Sequence, residues 1–202
     1  MSNNFNLSQA VNTPFSFRNK IINGGFDIWQ RGTSSGMWVS PVTSFFLADR
    51  WKSDTDGTGG TGSLSRQAFT VGQTDVPDNP RYFLRMTQTT APSGQTFHRL
   101  RQHIENVRLS SGKTFTVSFY AKADAARSLE VFGQHQFGTG GSPSAGISDI
   151  DLQSVNLTTA WQKFTVQLTF PSIAGKTLGT NGDDSFNLCF DFPNNTAFTI
   201  DI

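Results

Sequence analysis

With 202 residues, the chain has room for one large domain or two small ones, and either can bury a core. Charged side chains make up only 15%, and 23 Thr, 21 Ser and 19 Gly take their place, a balance that favours strands and turns over charged-faced helices. Lys and Arg number 16 against 15 Asp and Glu, so the basic excess of a nucleic-acid binder is absent and no nucleic-acid partner is expected. Cys189 stands alone and cannot close an intramolecular disulfide, and the three scattered histidines offer no zinc spacing. No run of 18 apolar residues occurs, and the opening MSNNFNLSQAVNTPFSF lacks the basic flank and apolar stretch of a signal peptide, so no membrane insertion is expected.

Residues Met1 to Arg18 are rich in Asn and Ser and carry Phe5, Phe15 and Phe17 without a sustained period, so they read as an N-terminal extended arm for assembly. Residues 19–202 then show short runs of period two, punctuated by Gly, Pro, Asn and Asp. In chain order, strands are predicted at Lys20 to Trp29, Ala48 to Ser53, Ser63 to Thr70, Arg81 to Thr90 and Gln95 to Val107. Others are predicted at Thr114 to Ala121, Leu129 to Phe137, Ile150 to Leu157, Trp161 to Phe170, Ser185 to Phe192 and Phe198 to Ile202. Alternation is strongest in three of these. Phe115, Val117 and Phe119 share one side of the first, Phe164, Val166 and Leu168 of the second, and Phe186, Leu188 and Phe190 of the third, and all nine are expected in the core. With no amphipathic helix in view, the pattern predicts an all-β, two-sheet sandwich or barrel.

The glycine-rich stretches Asp56 to Gly62 and Gly138 to Gly146 lack the lysine and following helix of a phosphate loop, so they read as flexible surface loops. The acid pairs Asp149 with Asp151 and Asp183 with Asp184 sit among turn formers, and no Ser-His-Asp arrangement can be assembled around His98, His103 or His135. The chain is therefore expected not to be an enzyme.

Two segments, NGGFDIWQRGT from Asn23 and ADRW from Ala48, resemble the opening of a domain found in bacteriophage and prophage tail-fibre and virion-appendage proteins. The resemblance continues in order through RQHIENVRLSSGKTFTVSFYAKAD from Arg101, WQKFTV from Trp161, PSIAGKTLGTNGDD from Pro171 and FTIDI from Phe198. The middle and late segments are also similar to the jelly-roll carbohydrate-binding modules attached to bacterial glycosidases. That likeness implies an antiparallel jelly roll over residues 19–202 with a concave sheet face for sugar. It also implies a structural calcium held with help from Asp27 and Asp201, which occupy the two ends of the matching region. The phage likeness implies a virion protein of the particle surface or tail, a homotrimer whose arm meets other virion subunits, with attachment to host-surface glycan as its role. The alternative is a capsid or tail decoration protein that stabilises the particle without binding sugar.

Strand parity proposes the glycan site. If Phe115, Val117 and Phe119 face inward, Tyr120 projects outward. The same logic turns Arg101 and His103 outward opposite Leu100 and Ile104, and adds Gln134 and Gln136 from a neighbouring strand. One ring for stacking, two amides for paired hydroxyl contacts and a cation able to meet an acidic sugar would result. Among the tryptophans, Trp51 and Trp161 read as core residues and Trp29 as a cover for the end of the sandwich. Trp38, in the Ser/Gly-rich stretch SSGMWVS, is the one placed for ligand contact.

Overall fold

A computed structural model describes residues 19–36 and 42–202. The arm Met1 to Arg18 lies outside these residues. Twelve strands form two antiparallel six-stranded sheets. Sheet I runs in the order β1 (Ser34–Gly36), β4 (Thr61–Ala68), β5 (Tyr82–Thr90), β12 (Phe198–Asp201), β7 (Thr114–Ala123), β10 (Gln162–Thr169). Sheet II runs β2 (Val42–Phe46), β3 (Trp51–Asp56), β6 (His98–Glu105), β11 (Ser185–Asp191), β8 (Arg127–Gln136), β9 (Ile147–Leu157). The alternation predicts a two-sheet sandwich or barrel and the resemblance implies a jelly roll, and the arrangement is an all-β jelly-roll sandwich. A single 3-10 turn at Val107–Leu109 is the sole helical element among the described residues, and no helix there is long and apolar enough to cross a membrane.

The two sheets meet over side chains of one parity from each strand. Sheet II contributes Leu100, Val131, Phe186, Leu188 and Phe190, and sheet I contributes Leu64, Leu84, Met86, Leu168 and Ile200. Phe115 stacks on Phe186 with ring centroids 5.4 Å apart, and Phe170 meets both rings edge-on. All nine residues expected inside do face the core. Phe115, Val117, Phe119, Phe164 and Val166 are only partly buried, because β10 is the edge of sheet I and β7 lies beside it.

Ten of the eleven predicted strands form. The exception is Lys20 to Trp29, where Asn23 and Phe26 have φ of 55° and 53°, outside any strand conformation. Its partner is a side chain instead: the buried Gln102 amide donates to the Ile22 carbonyl (2.8 Å) and accepts from the Ile22 N–H (2.7 Å). The segment closes one end of the core, with Phe26 and Trp29 buried and the Trp51 indole N–H bonded to the Asn23 carbonyl (3.0 Å). Trp161 departs from expectation. Phe164 faces inward, so odd positions of β10 face outward, and Trp161 packs against Phe69 and Phe83 on the outer side of sheet I. The Gly138 to Gly146 stretch, read as a flexible loop, is laced to residues 179–183: Gly179 N–H donates to the Phe137 carbonyl (2.7 Å), and Asp183 accepts from both the Thr139 N–H (2.7 Å) and its hydroxyl (2.6 Å).

The expected calcium site does not fit. The buried Asp201 carboxylate is clamped through both oxygens by the Arg85 guanidinium at 2.7 and 2.8 Å, with Lys122 at 3.8 Å, so its charge is already paired. Asp27 is exposed, and among the described residues no group of three or more His, Cys, Asp or Glu could hold a metal ion. Calcium needs six to eight oxygens.

A candidate glycan-binding face on sheet II

The sheet II residues that do not enter the core form a polar outer face. Pairing register sets its rows. Phe46, Lys52, Arg101, Cys189 and Phe132 lie side by side across β2, β3, β6, β11 and β8, and Ser44, Asp54, Arg99, Asp191 and Glu130 form the parallel row. A third row brings His103, Asn187 and Gln134 together, and Ser185 stands opposite Gln136 at its end. Neighbours in a row are about 4.8 Å apart, the interstrand spacing. Antiparallel pairing thus gathers these polar and charged groups in one plane with no loop involved.

These groups are fixed by one another. Asp54 takes an ion pair from Arg101 Nε at 2.6 Å and from Lys52 Nζ at 3.1 Å, and accepts the Ser44 hydroxyl. Burial works against its charge, but the Ser44 bond and the two cations outweigh it and hold the carboxyl below the usual range. Asp191 accepts from Arg99 Nε (3.0 Å) and the His98 N–H (2.9 Å), yet burial dominates and its carboxyl is raised. Arg99 also lies over the Phe132 ring, 5.1 Å from its centroid, which seals that apolar floor.

A hydrogen-bond chain then crosses from β6 to β9. Arg101 Nη1 donates to Gln134 Oε1 (3.3 Å), Gln134 Nε2 donates to the Ser148 hydroxyl (3.0 Å), and Ser148 donates to Asp149 Oδ1 (3.0 Å). Asn187 Nδ2 joins at Gln134 Oε1 (3.3 Å). His103 holds Nδ1 3.4 Å from the Ser185 hydroxyl, and its Nε2 is buried with no protein partner. Burial, reinforced by Arg101 and Lys52, pushes its imidazole down to about 4, so the ring is neutral at pH 7. Cys189 lies beneath the lattice, and burial raises its thiol, which makes it an inert floor residue.

Of the residues proposed from sequence, Arg101, His103, Gln134 and Gln136 do lie on this one face. Tyr120 does not: β7 belongs to sheet I, so Tyr120 projects from the opposite side of the sandwich, with Lys163 beside it. Arg101 is also corrected in character, since it is paired with Asp54 and is not the free cation that an acidic sugar would meet. Trp38 lies outside the described residues. Phe46 was missed: its ring is 43% exposed at the β2 edge, level with Lys52, under the Arg31 guanidinium at 5.7 Å. The alternation of Ser44 and Phe46 against Phe45 was its signal, masked by three consecutive apolar residues from Phe45 to Leu47.

The described residues of the face offer fixed donors and acceptors with an exposed ring, Phe46, at its edge. The acids Asp183 and Asp184 are engaged elsewhere, Asp184 by the Val107 N–H (2.8 Å). No curated protein matches the chain. Among solved structures, it is similar to one described as "CBM4 structure and function", at 22% identity over 90% of this chain and 94% of that one, with a TM-score of 0.47. It is also similar to a family 11 carbohydrate-binding module from Clostridium thermocellum solved with a beta-1,3-1,4-mixed-linked tetrasaccharide, at 11% identity over 81% and 93% of the two chains and a TM-score of 0.46. A third similarity is to the enzymatically active domain of tailspike protein 4 of bacteriophage CBA120, at 13% identity over 76% of this chain but 18% of the tailspike, with a TM-score of 0.46. The family model described as carbohydrate binding domain matches residues 19–185, and the chain belongs to that family of non-catalytic binding domains.

Proposed function

We propose that this protein is a non-catalytic phage virion protein, a tail fibre or appendage subunit, whose domain binds host-surface glycan through the outer face of sheet II. The observation that carries the binding reading is the Arg101, Gln134, Ser148, Asp149 chain with Asn187 and Asp54, a pre-paired set of donors and acceptors on a sheet face in a carbohydrate binding domain. Sugar hydroxyls both donate and accept, so they match groups whose orientation is already fixed, and binding then orders few side chains. Phe46 supplies the apolar surface for the C–H face of a pyranose. The virion role is supported by the likeness of NGGFDIWQRGT and ADRW to the opening of phage tail-fibre domains. Each contact is worth about 1 kcal/mol net, so a single site is weak and attachment rests on several copies, as a homotrimer would supply.

The test is a glycan array probed with the full-length protein, with its mass in solution measured by analytical ultracentrifugation. Binding to at least one host-envelope glycan, lost in Arg101→Ala while the β-sheet circular dichroism of the folded domain is retained, is the expected result. Absence of binding to every host glycan, with the chain seen by electron microscopy as a regular lattice on the capsid, would replace attachment with particle decoration.

A further inference from the structure

Strand β9 contains two residues in the left-handed region that are not glycine, Asp149 (φ 55°) and Asp151 (φ 50°). Both belong to irregularities in its pairing with β8: while β8 advances from Val131 to Gly133 to His135, β9 passes from Gln153 to Ile150 to Ile147, three residues for every two. Two bulges in succession re-aim the side chains at the sheet edge. Among residues other than glycine, Asp and Asn enter the left-handed region most readily because their short polar side chains bond locally, which suits both positions to a bulge.

The two aspartates differ in what their carboxylates do. Asp151 is spent internally: Oδ2 accepts the Thr169 N–H of β10 (2.8 Å) and Oδ1 accepts from Gln153 (2.9 Å), so its bulge ties the edge of sheet II to the edge of sheet I. Asp149 ties nothing down. Among the described residues, Oδ1 receives the Ser148 hydroxyl, Arg99 stands at 3.9 Å and Oδ2 has no partner, and the side chain is 55% exposed. It ends the chain that begins at Arg101, at the β9 margin of the polar face. Among the described residues of the face, Arg99 and Arg101 already face carboxylates, Asp191 and Asp54, whereas Asp149 keeps an oxygen that no described side chain occupies.

Resting on the glycan-binding reading, we infer that Asp149 is a ligand-contact residue that accepts hydroxyls of an uncharged sugar and sets the specificity of the face against glycans bearing carboxylate or phosphate. A carboxylate with an open oxygen binds vicinal hydroxyls through charge-assisted bonds, and the same charge repels a carboxylate or phosphate brought against it.

The experiment uses an array of matched probes, glucose- and galactose-containing oligosaccharides beside their glucuronate and galacturonate counterparts, with the wild-type protein, Asp149→Asn and Asp151→Asn. Asparagine keeps the shape and tolerates the left-handed backbone, so Asp149→Asn removes the charge and turns one acceptor oxygen into a donor, and it should melt within about 1 °C of wild type. Wild type should bind an uncharged probe about tenfold more tightly than its uronate partner. Asp149→Asn should weaken the uncharged probe and shrink that ratio to about threefold or less, while Asp151→Asn should melt lower and keep the ratio. Wild-type binding with a ratio unchanged in Asp149→Asn, or a preference for uronates, overturns the role of Asp149 and leaves glycan binding standing. No wild-type binding to any probe overturns both.

Discussion

Gly133→Ala is the sharpest test of the packing behind the polar face. Gly133 lies in β8 on the core side, in ordinary strand conformation, and a methyl group added there would stand 2.4 Å from Cζ and 2.6 Å from Cε1 of Phe170. Ordinary contact begins at about 3.4 Å, so the ring would have to retreat by about 1 Å. It has nowhere to go, since Phe115, Phe186 and His135 hold it at centroid distances of 5.7, 5.6 and 5.2 Å. Overpacking of this kind costs about 1 to 3 kcal/mol, and the loss of glycine's unfolded-chain freedom returns about 0.5 to 1. The net fall of about 1 kcal/mol should lower the melting temperature by roughly 2 to 4 °C in a domain of this size, read by calorimetry or by loss of β-sheet circular dichroism. Phe170→Leu alone should destabilise, but in the Gly133→Ala background it should restore part of the loss, with a coupling of about 0.5 to 3 kcal/mol. A Gly133→Ala variant as stable as wild type, or additive effects in the double variant, would refute the close approach of ring and strand.

Other outcomes follow from the same structure. Phe46→Ala, at an exposed edge, should weaken binding to any array-positive glycan by about fivefold to tenfold with little change in melting temperature, since the ring contributes little buried area. Arg85→Met leaves the buried Asp201 with only Lys122 at 3.8 Å and should cost about 3 kcal/mol, while millimolar calcium against chelator should leave the wild-type melting temperature unchanged. Burial pushes His98 down to about 3 from an ordinary 6.5, so the unfolded chain takes up a proton that the folded chain refuses. Stability is therefore full above about pH 6.5 and falls as pH drops toward 3, by about 2 kcal/mol at pH 5 from this residue. His103 acts in the same sense down to about 4, and the raised Asp191 carboxyl opposes both in the carboxylate range. Urea titrations at pH 7 and pH 5 measure the difference, and equal midpoints would show that these imidazoles are not withheld from protons. Phe190→Ala should remove about 3 to 5 kcal/mol of a total of about 5 to 15 and lower the melting temperature by roughly 6 to 20 °C, checked by circular dichroism.

Alternation along Thr114 to Phe119, Phe164 to Leu168 and Phe186 to Phe190 is enough to state the fold class and the inward face of each strand, because side-chain direction in a strand is a local property with period two. The same rule turns Arg101, His103, Gln134 and Gln136 outward correctly, so four members of the candidate face are legible in the chain itself. Period two says which side of a sheet a residue takes but not which sheet it joins, and so Tyr120 and Arg101, both outward by parity, stand on opposite sides of the sandwich. Membership is decided by pairings between distant segments, such as β6 with β11 across about eighty residues, and no local pattern encodes them. The ion pairs follow from that pairing: Asp54 neutralises Arg101 only because β3 lies beside β6, and Arg85 captures Asp201 only because β12 lies beside β5. Likewise, the bulges that carry Asp149 to the margin of the face arise from the register of β9 against β8, whereas in sequence Asp149 and Asp151 are an ordinary pair among serines and isoleucines.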